Sequence, residues 1–511
     1  MNLLKKIMLG AALTVSAAAL SATADAASLK VAMDATVDTL DPQDSTANAV
    51  ASVSSGIMER LIGFDKDMKL VPMLATSWEA NDDATQFTFH LRQGVTFQDG
   101  TPFNAEAVKV NMDRLADQSQ GLKRNGMMRM ISSTDVIDDY TVRINLSEPF
   151  GAMLATLAHP SIVMESPAAL EKYGKDVSKH PVGTGPFKFK EWVPGEHLTV
   201  EKYDGYWKEG WPKVDEVTFV KVKEAATAVA MLKAGEVQYV DNMSPELVKS
   251  IEADPKFKVL DVPGISVWTA SMNLMKPEFQ DPRVREAFNL AIDKQAIVQV
   301  VFSGYGSVPD APLAPNTAFY SAQTAYPYDL EKAKELMKEA GYEDGFKIQA
   351  WGRNNTTETR MLQMLKQMLS QINVDVEILP MEPATRSEKL FGNVKPEDQE
   401  FGLAIGGWSP STGDADWHLR PVYATEGWIP KIYNMAFYSN EQVDADIATG
   451  LSSADDKVRG DAYADAQSII WKDMPVIWLA INNKLAGETA NLEGVHPMAD
   501  GTMVYADAEF K

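Results

Sequence analysis

The sequence predicts an α/β fold with mixed sheets, and three observations carry that reading. Short runs of alternating hydrophobicity, the mark of half-buried strands, are interleaved along the chain with amphipathic stretches of helical period. Those helical stretches bring their own start and stop residues. No internal repeat or low-complexity linker interrupts the 511 residues.

Taken in order, the strand runs are 29–33, 87–91, 140–146, 198–203, 216–221, 346–350 and 374–379. Asn104 caps a helix whose Val108, Met112 and Leu115 form one buried stripe. Asp281 then Pro282 is a cap followed by proline at the first helical position. Val284, Ala287, Phe288, Ala291 and Ile292 make the inward face there, with Arg283, Arg285, Asp293 and Lys294 expected outside. Asp329 opens a further helix with Ala333, Leu336, Met337 and Ala340 inward, and Gly341 suits its left-handed stop. Met361, Leu362, Leu365, Met368, Leu369 and Ile372 form the last stripe, where methionine fills core rather than making an adaptable surface.

Composition narrows the function. Hydrophobic residues at 45% and charged residues at 23% are enough to build large cores, which excludes disorder, a coiled coil or a disulfide mini-protein. Forty-eight basic against 71 acidic side chains leave a net charge of −23. Such a surface repels phosphate backbones and anionic headgroups, so the expectation is no nucleic acid and no membrane surface as partner. With no cysteine, the chain has no disulfide, thiolate nucleophile, Cys-ligated zinc or Cys-linked lipid. Lys5, Lys6, the apolar run 7–20 and Ala24-Asp25-Ala26 predict a cleaved signal peptide over 1–26. The run is shorter than the ~20 residues a bilayer span needs, so the expected destination is the periplasm.

Enzymatic signatures are missing. No G-x-S-x-G elbow occurs, and His90, His159, His180, His197, His418 and His496 show no zinc-ligand spacing. Gly183-Thr184-Gly185-Pro186 lacks the Lys-Ser/Thr of a phosphate cradle and reads as a turn or hinge. The expectation is no catalytic residue, no metal and no cofactor. An exported hydrolase with paired carboxylates stays open as a rival, because such pairs keep no fixed spacing.

Six stretches resemble one family in order and register. They are T-L-D-P at Thr39–Pro42, L-R-Q-G-V-T-F-Q-D-G-T-P-F-N-A-E-A-V at Leu91–Val108, P-V-G-T-G-P-F at Pro181–Phe187, G-Y-W-K-E-G-W-P-K-V-D at Gly205–Asp215, D-P-R-V-R-E-A-F-N-L-A-I-D-K at Asp281–Lys294 and Y-D-L-E-K-A-K-E-L-M-K-E-A-G-Y at Tyr328–Tyr342. Together they resemble the solute-binding proteins of peptide-type ABC importers, extracellular solute-binding family 5. Gly407–Trp417 and Ala436–Asp444, with Leu122–Arg124 and Leu157–Pro160, resemble most its glutathione-carrying branch. The resemblance implies a bilobal, type II periplasmic-binding-protein fold with a subdomain inserted in the first lobe. Carried onto this chain, 27–59, 184–280 and 475–511 form lobe I, 60–183 the insertion and 281–474 lobe II. It also implies a monomer that closes on a small peptide and delivers it intact to an inner-membrane ABC permease. General dipeptide or oligopeptide binding and metal-chelate binding are the rival readings within the family.

The resemblance also points to a site. Peptide-binding members hold the ligand's ammonium with an aspartate three residues after the tryptophan matching Trp408, where this chain has Ser411. Asp414 or Asp416 is expected to supply that carboxylate from a shifted place, or else to sit in a solvated turn with Thr412. Glutathione carries two carboxylates, which call for cationic forks. Arg124 and Arg386 are the candidates, with Arg353 third, and Trp408 and Trp417 are expected to wall the ligand. His159 and His418 are expected to be hydrogen-bonded structural histidines.

Overall fold

The computed structural model describes residues 27–511, so the expected signal peptide lies outside the described residues. Seven strands make the first sheet, in the order Phe257–Val262, Lys484–Thr489, Tyr239–Val240, Ser28–Met33, Glu216–Lys221, His197–Lys202, Phe187–Val193. Ser28–Met33 runs parallel to both Glu216–Lys221 and Tyr239–Val240, so the three carboxyl ends share one edge. Six strands make the second, in the order Gly306–Ser307, Val476–Asn482, Val267–Met272, Leu403–Trp408, Lys347–Arg353, Asp375–Met381. A four-stranded antiparallel sheet, Ala75–Ala80, Gln86–Leu91, Thr141–Leu146 and Ile131–Asp138, lies within the expected insertion. Each sheet packs into its own apolar cluster, so the α/β layers form separate bodies rather than one core. No helix among the described residues is long and apolar enough to cross a membrane.

The chain passes from the seven-stranded to the six-stranded sheet between Val262 and Val267 and returns at Asn483. Both crossing points differ from the expected boundaries. Val267–Met272 and Val476–Asn482, assigned from sequence to lobe I, pair with each other inside the six-stranded sheet. The reason is physical: Val476 to Ile481 is a continuous buried run, a strand covered on both faces that shows no alternation. Asp281, read as a lobe boundary, is a helix cap within the second lobe. The two crossings touch: a Cβ at Gly264 would stand 2.3 Å from the Asn482 carbonyl oxygen.

Helix punctuation follows the sequence closely. Asn104 accepts from the Ala107 amide at 3.0 Å and Asp329 from Lys332 at 2.9 Å, and Gly341 sits at φ +83°. Lys294 is the exception. Helix Pro282–Ala291 stops, and Asp293 caps a new helix, Lys294–Val301, accepting from the Ala296 amide. That restart turns Lys294 inward to 5% exposure, where Nζ donates to the Asn289 carbonyl at 2.7 Å. Burial pushes its amine down to about 8.

The glycine-rich turn is a close approach of backbones. A Cβ at Gly183 or Gly185 would stand 2.2 or 2.4 Å from the carbonyl oxygens of Ile57 and Gly56. Gln98 of the insertion stitches this junction, donating to the Ile57, Gly185 and Phe187 carbonyls and accepting from the Gly183 amide. The insertion also meets the second lobe: the Gly151 amide donates to the Leu451 carbonyl at 2.6 Å. A Cβ on Gly151 would stand 2.1 Å from the Ser453 carbonyl oxygen, so only glycine lets these surfaces touch.

Candidate functional site

A cavity of about 450 Å³ lies where the insertion faces the second lobe. Met127, Phe150 and Thr156 line it from one side, and Trp408, Trp417, Arg420 and Lys431 from the other. Trp408 ends the Leu403–Trp408 strand, which carries it to the sheet edge facing the insertion. Its indole N–H donates to the Trp417 carbonyl, and its ring lies 4.8 Å from that of Tyr433. The two expected tryptophan walls are therefore brought together and coupled.

Arg124 sits just before the turn Asn125–Met127, held by its Nε donating to the Ser45 carbonyl at 2.8 Å. It makes no ion pair among the described residues, and burial lowers its guanidinium to about 10. Next to it stands His159, whose Nδ1 accepts from the Ser161 amide at 3.1 Å. An amide can only donate, so the imidazole proton must be on Nε2, which donates to Ser411 Oγ at 3.0 Å. Burial first, and then the charges of Arg124 and Arg60, hold His159 well below its usual range and neutral. Ser411 thus bridges the two halves of the cleft. His159 is hydrogen-bonded as expected but reaches across the cleft, and Arg60 is a cation that sequence reasoning passed over. His418 differs: it is buried, stacked on Tyr423 with ring centres 6.0 Å apart, has no partner at Nδ1, and is lowered by burial to about 3.

The acidic turn is neither solvated nor open to a ligand. Asp414 is 2% exposed, and both its oxygens accept from Arg459 Nη2 at 2.9 Å. Oδ1 also accepts from the Asp416 amide. Burial raises its carboxyl while Arg459 opposes the rise. Asp416 is 1% exposed and takes a two-pronged contact from Arg420, Nε at 2.9 Å and Nη2 at 2.8 Å. Thr412 is buried and accepts from the Asp414 amide at 3.4 Å. The expectation that Asp414 or Asp416 replaces the lost aspartate is corrected on this geometry, since arginine engages both carboxylates.

Arg386 and Arg353 stand apart from the cavity lining. Arg386 is 3% exposed, its Nη2 donates to the Ile405 carbonyl, and its Nε has no partner. Burial lowers its guanidinium, with Tyr433 and Glu358 opposing. Arg353, at the end of Lys347–Arg353, pairs with the buried Glu358 at 3.3 Å. Of the two, Arg386 interacts with Tyr433, whose ring packs on Trp408.

Residues 69–429 match the family model of bacterial extracellular solute-binding proteins, family 5 Middle. The chain belongs to this family. As a family 5 protein it is 41% identical over 481 residues to the glutathione-binding protein GsiB of Pectobacterium atrosepticum, covering 94% of this chain and 93% of that one. Among solved structures it is similar to HbpA2 from Haemophilus parasuis, with TM-score 0.84, 26% identity and 95% and 100% of the two chains covered. It is also similar to the ABC transporter-associated periplasmic binding protein DppA from Helicobacter pylori in complex with the peptide STSA. There the TM-score is 0.77, the identity 28% and the coverage 94% and 98%. The architecture is the bilobal periplasmic-binding-protein fold, and the proteins of this family are solute binders rather than enzymes.

Proposed function

We propose that this chain is the substrate-binding component of an ABC importer, which captures glutathione or a similar short γ-linked peptide and delivers it to an inner-membrane permease. The observation that carries the reading is the 41% identity, across 94% of the chain, to a protein named for glutathione binding. The cleft chemistry supports it. Arg124 beside His159, and Arg129 and Lys431 around the cavity, gather cationic groups in a chain of net charge −23, Arg420 there being already paired with Asp416. A peptide with two carboxylates and one ammonium suits such a lining, because a carboxylate out of water needs a charged partner. Ser411 in place of the aspartate speaks against a general dipeptide receptor, since a hydroxyl dipole cannot replace a full charge.

The mechanism is closure without chemistry on the ligand. Ligand touching both halves of the cleft favours the closed form by its extra contacts there, and the closed form is the shape presented to the permease. Arg124, Ser411, Trp408 and Trp417 are the contact residues in this reading. Thr412, Asp414 and Asp416 shape the loop, Arg386 positions Tyr433, and Arg353 holds the buried Glu358. The protein works as a single chain in the periplasm, reached by way of the signal sequence.

Titration calorimetry with reduced glutathione and with an unrelated dipeptide tests the reading. The expected result is glutathione binding near micromolar, about −8.2 kcal/mol. Heat from the dipeptide with none from glutathione overturns it.

A further inference from the structure

The first lobe carries a second cavity, about 310 Å³, separate from the one walled by the tryptophans. It opens at the carboxyl ends of the parallel strands Ser28–Met33 and Tyr239–Val240, the edge at which α/β sheets take ligands. Both chain crossings abut it. Lys484 lines it immediately after Asn483, and a Cβ at Gly264 in the other crossing would stand 3.4 Å from Lys484 Cε. Gly501, at φ +88°, leaves room in one wall: a side chain there would stand 3.1 Å from Asn48 Nδ2 and 3.4 Å from Lys484 Nζ. Asn48 Nδ2 gives one hydrogen to the Asp500 carbonyl at 3.1 Å, and its second, with Lys484 Nζ, borders space that a glycine keeps open.

Asp241 and Asp34 line the same cavity. Asn242 donates to Asp34 Oδ2 at 3.2 Å. Among the described residues, neither Asp241 nor Lys484 has an opposite charge at contact distance. Burial, and then Asp34, lift Asp241 to about 7, while burial lowers the Lys484 amine. Asp500, buried and hydrogen-bonded to Thr502, lies in the field of both Lys484 and Arg60, so this edge leads on toward His159. An acid and an amine that feel each other's field but form no ion pair, both facing one cavity, are the complement of a zwitterion.

We propose that this cavity holds an α-amino-acid head group, its carboxylate on Lys484 Nζ and Asn48 Nδ2 and its ammonium on Asp241. The inference rests on the glutathione reading and deepens it. A γ-linked peptide keeps the ammonium and carboxylate of its first residue on one carbon. An α-linked peptide has spent that carboxyl in an amide. The cavity thus selects the linkage, and it supplies the ammonium partner that Ser411, Asp414 and Asp416 do not.

Titration calorimetry on the mature protein tests this with reduced glutathione, α-linked Glu-Cys-Gly and glutaryl-Cys-Gly, which lacks the ammonium. Wild-type protein is expected to bind the second and third at least tenfold more weakly than the first. Asp241→Asn is expected to lose at least tenfold for glutathione and to cease distinguishing it from glutaryl-Cys-Gly. Lys484→Met should weaken both alike. No glutathione binding by wild-type protein overturns the functional reading and this inference with it. Tight glutathione binding by wild type, with equal affinity for glutaryl-Cys-Gly, overturns the subsite alone and needs no variant to fold. Unchanged glutathione affinity in a folded Asp241→Asn protein does the same.

Discussion

Two acidic regions of the molecule handle buried charge in opposite ways. In the turn after Trp408, Asp414 and Asp416 each receive an arginine, at 2.9 Å from Arg459 and at 2.8–2.9 Å from Arg420. At the edge of the first lobe, Asp241 and Lys484 face a cavity with no such closure. The first arrangement is complete without a ligand and fixes a loop. The second is incomplete, and a protein keeps such a defect where something else supplies the missing charge. Acidic residues near a cleft are thus sorted by what already neutralises them.

The sharpest way to break the comparison is at the completed pair. Arg459→Met leaves Asp414 buried and alone, and the expected cost is about 3–5 kcal/mol of stability, read by denaturant unfolding. A loss below about 1 kcal/mol would show the pair to be no more structural than a surface contact. The incomplete site is probed by pH. Asp241 titrates near 7 in the folded chain and near the ordinary carboxylate value of about 3.9 once unfolded. Between those values the folded state holds the extra proton, so ligand-free wild-type protein should gain stability relative to Asp241→Asn as pH falls from 8 to 5. Glutathione affinity should move the other way, dropping about tenfold per unit below pH 7 as the ionised carboxylate is lost. Parallel curves for wild type and Asp241→Asn would remove Asp241 from the contrast.

Smaller effects concern the joint between the two halves. Ser411→Ala deletes the hydrogen bond from His159, worth about 0.5–1.5 kcal/mol. Ligand affinity should fall about two- to tenfold, with scattering showing a more open ligand-free protein. The smallest effect is expected at Arg360–Glu246, a half-exposed pair at 2.7 Å that joins the second lobe to the first. Arg360→Gln should change affinity by less than about 1 kcal/mol, and the change should fade in high salt.

Local grammar made much of this readable in advance. The run 216–221 matches its strand because polar and apolar residues alternate there, and the caps Asn104, Asp281 and Asp329 work where they stand. Val476–Asn482 was hidden for the converse reason: a strand covered on both faces has no period to detect. The site was legible only in part. Trp408 and Trp417 are close in sequence and meet in space. The partner of Asp414 lies 45 residues away, and Ser411 meets a histidine 252 residues away. Lys484 sits in a short polar stretch, Asn482-Asn483-Lys484, with no pattern to mark it. Pairings of that range depend on topology, which residue type and spacing do not encode locally.

The crossing at Asn483 has a bearing on how the chain assembles. Residues 267–482 are one uninterrupted stretch containing every strand of the six-stranded sheet. The seven-stranded sheet instead takes its second strand in order, Lys484–Thr489, from near the C-terminus, and that strand alone joins Phe257–Val262 to the rest. A chain threaded through a pore from its N-terminus can therefore finish the later lobe while the earlier one is still missing a plank. The half that emerges first is the half whose missing strand arrives later.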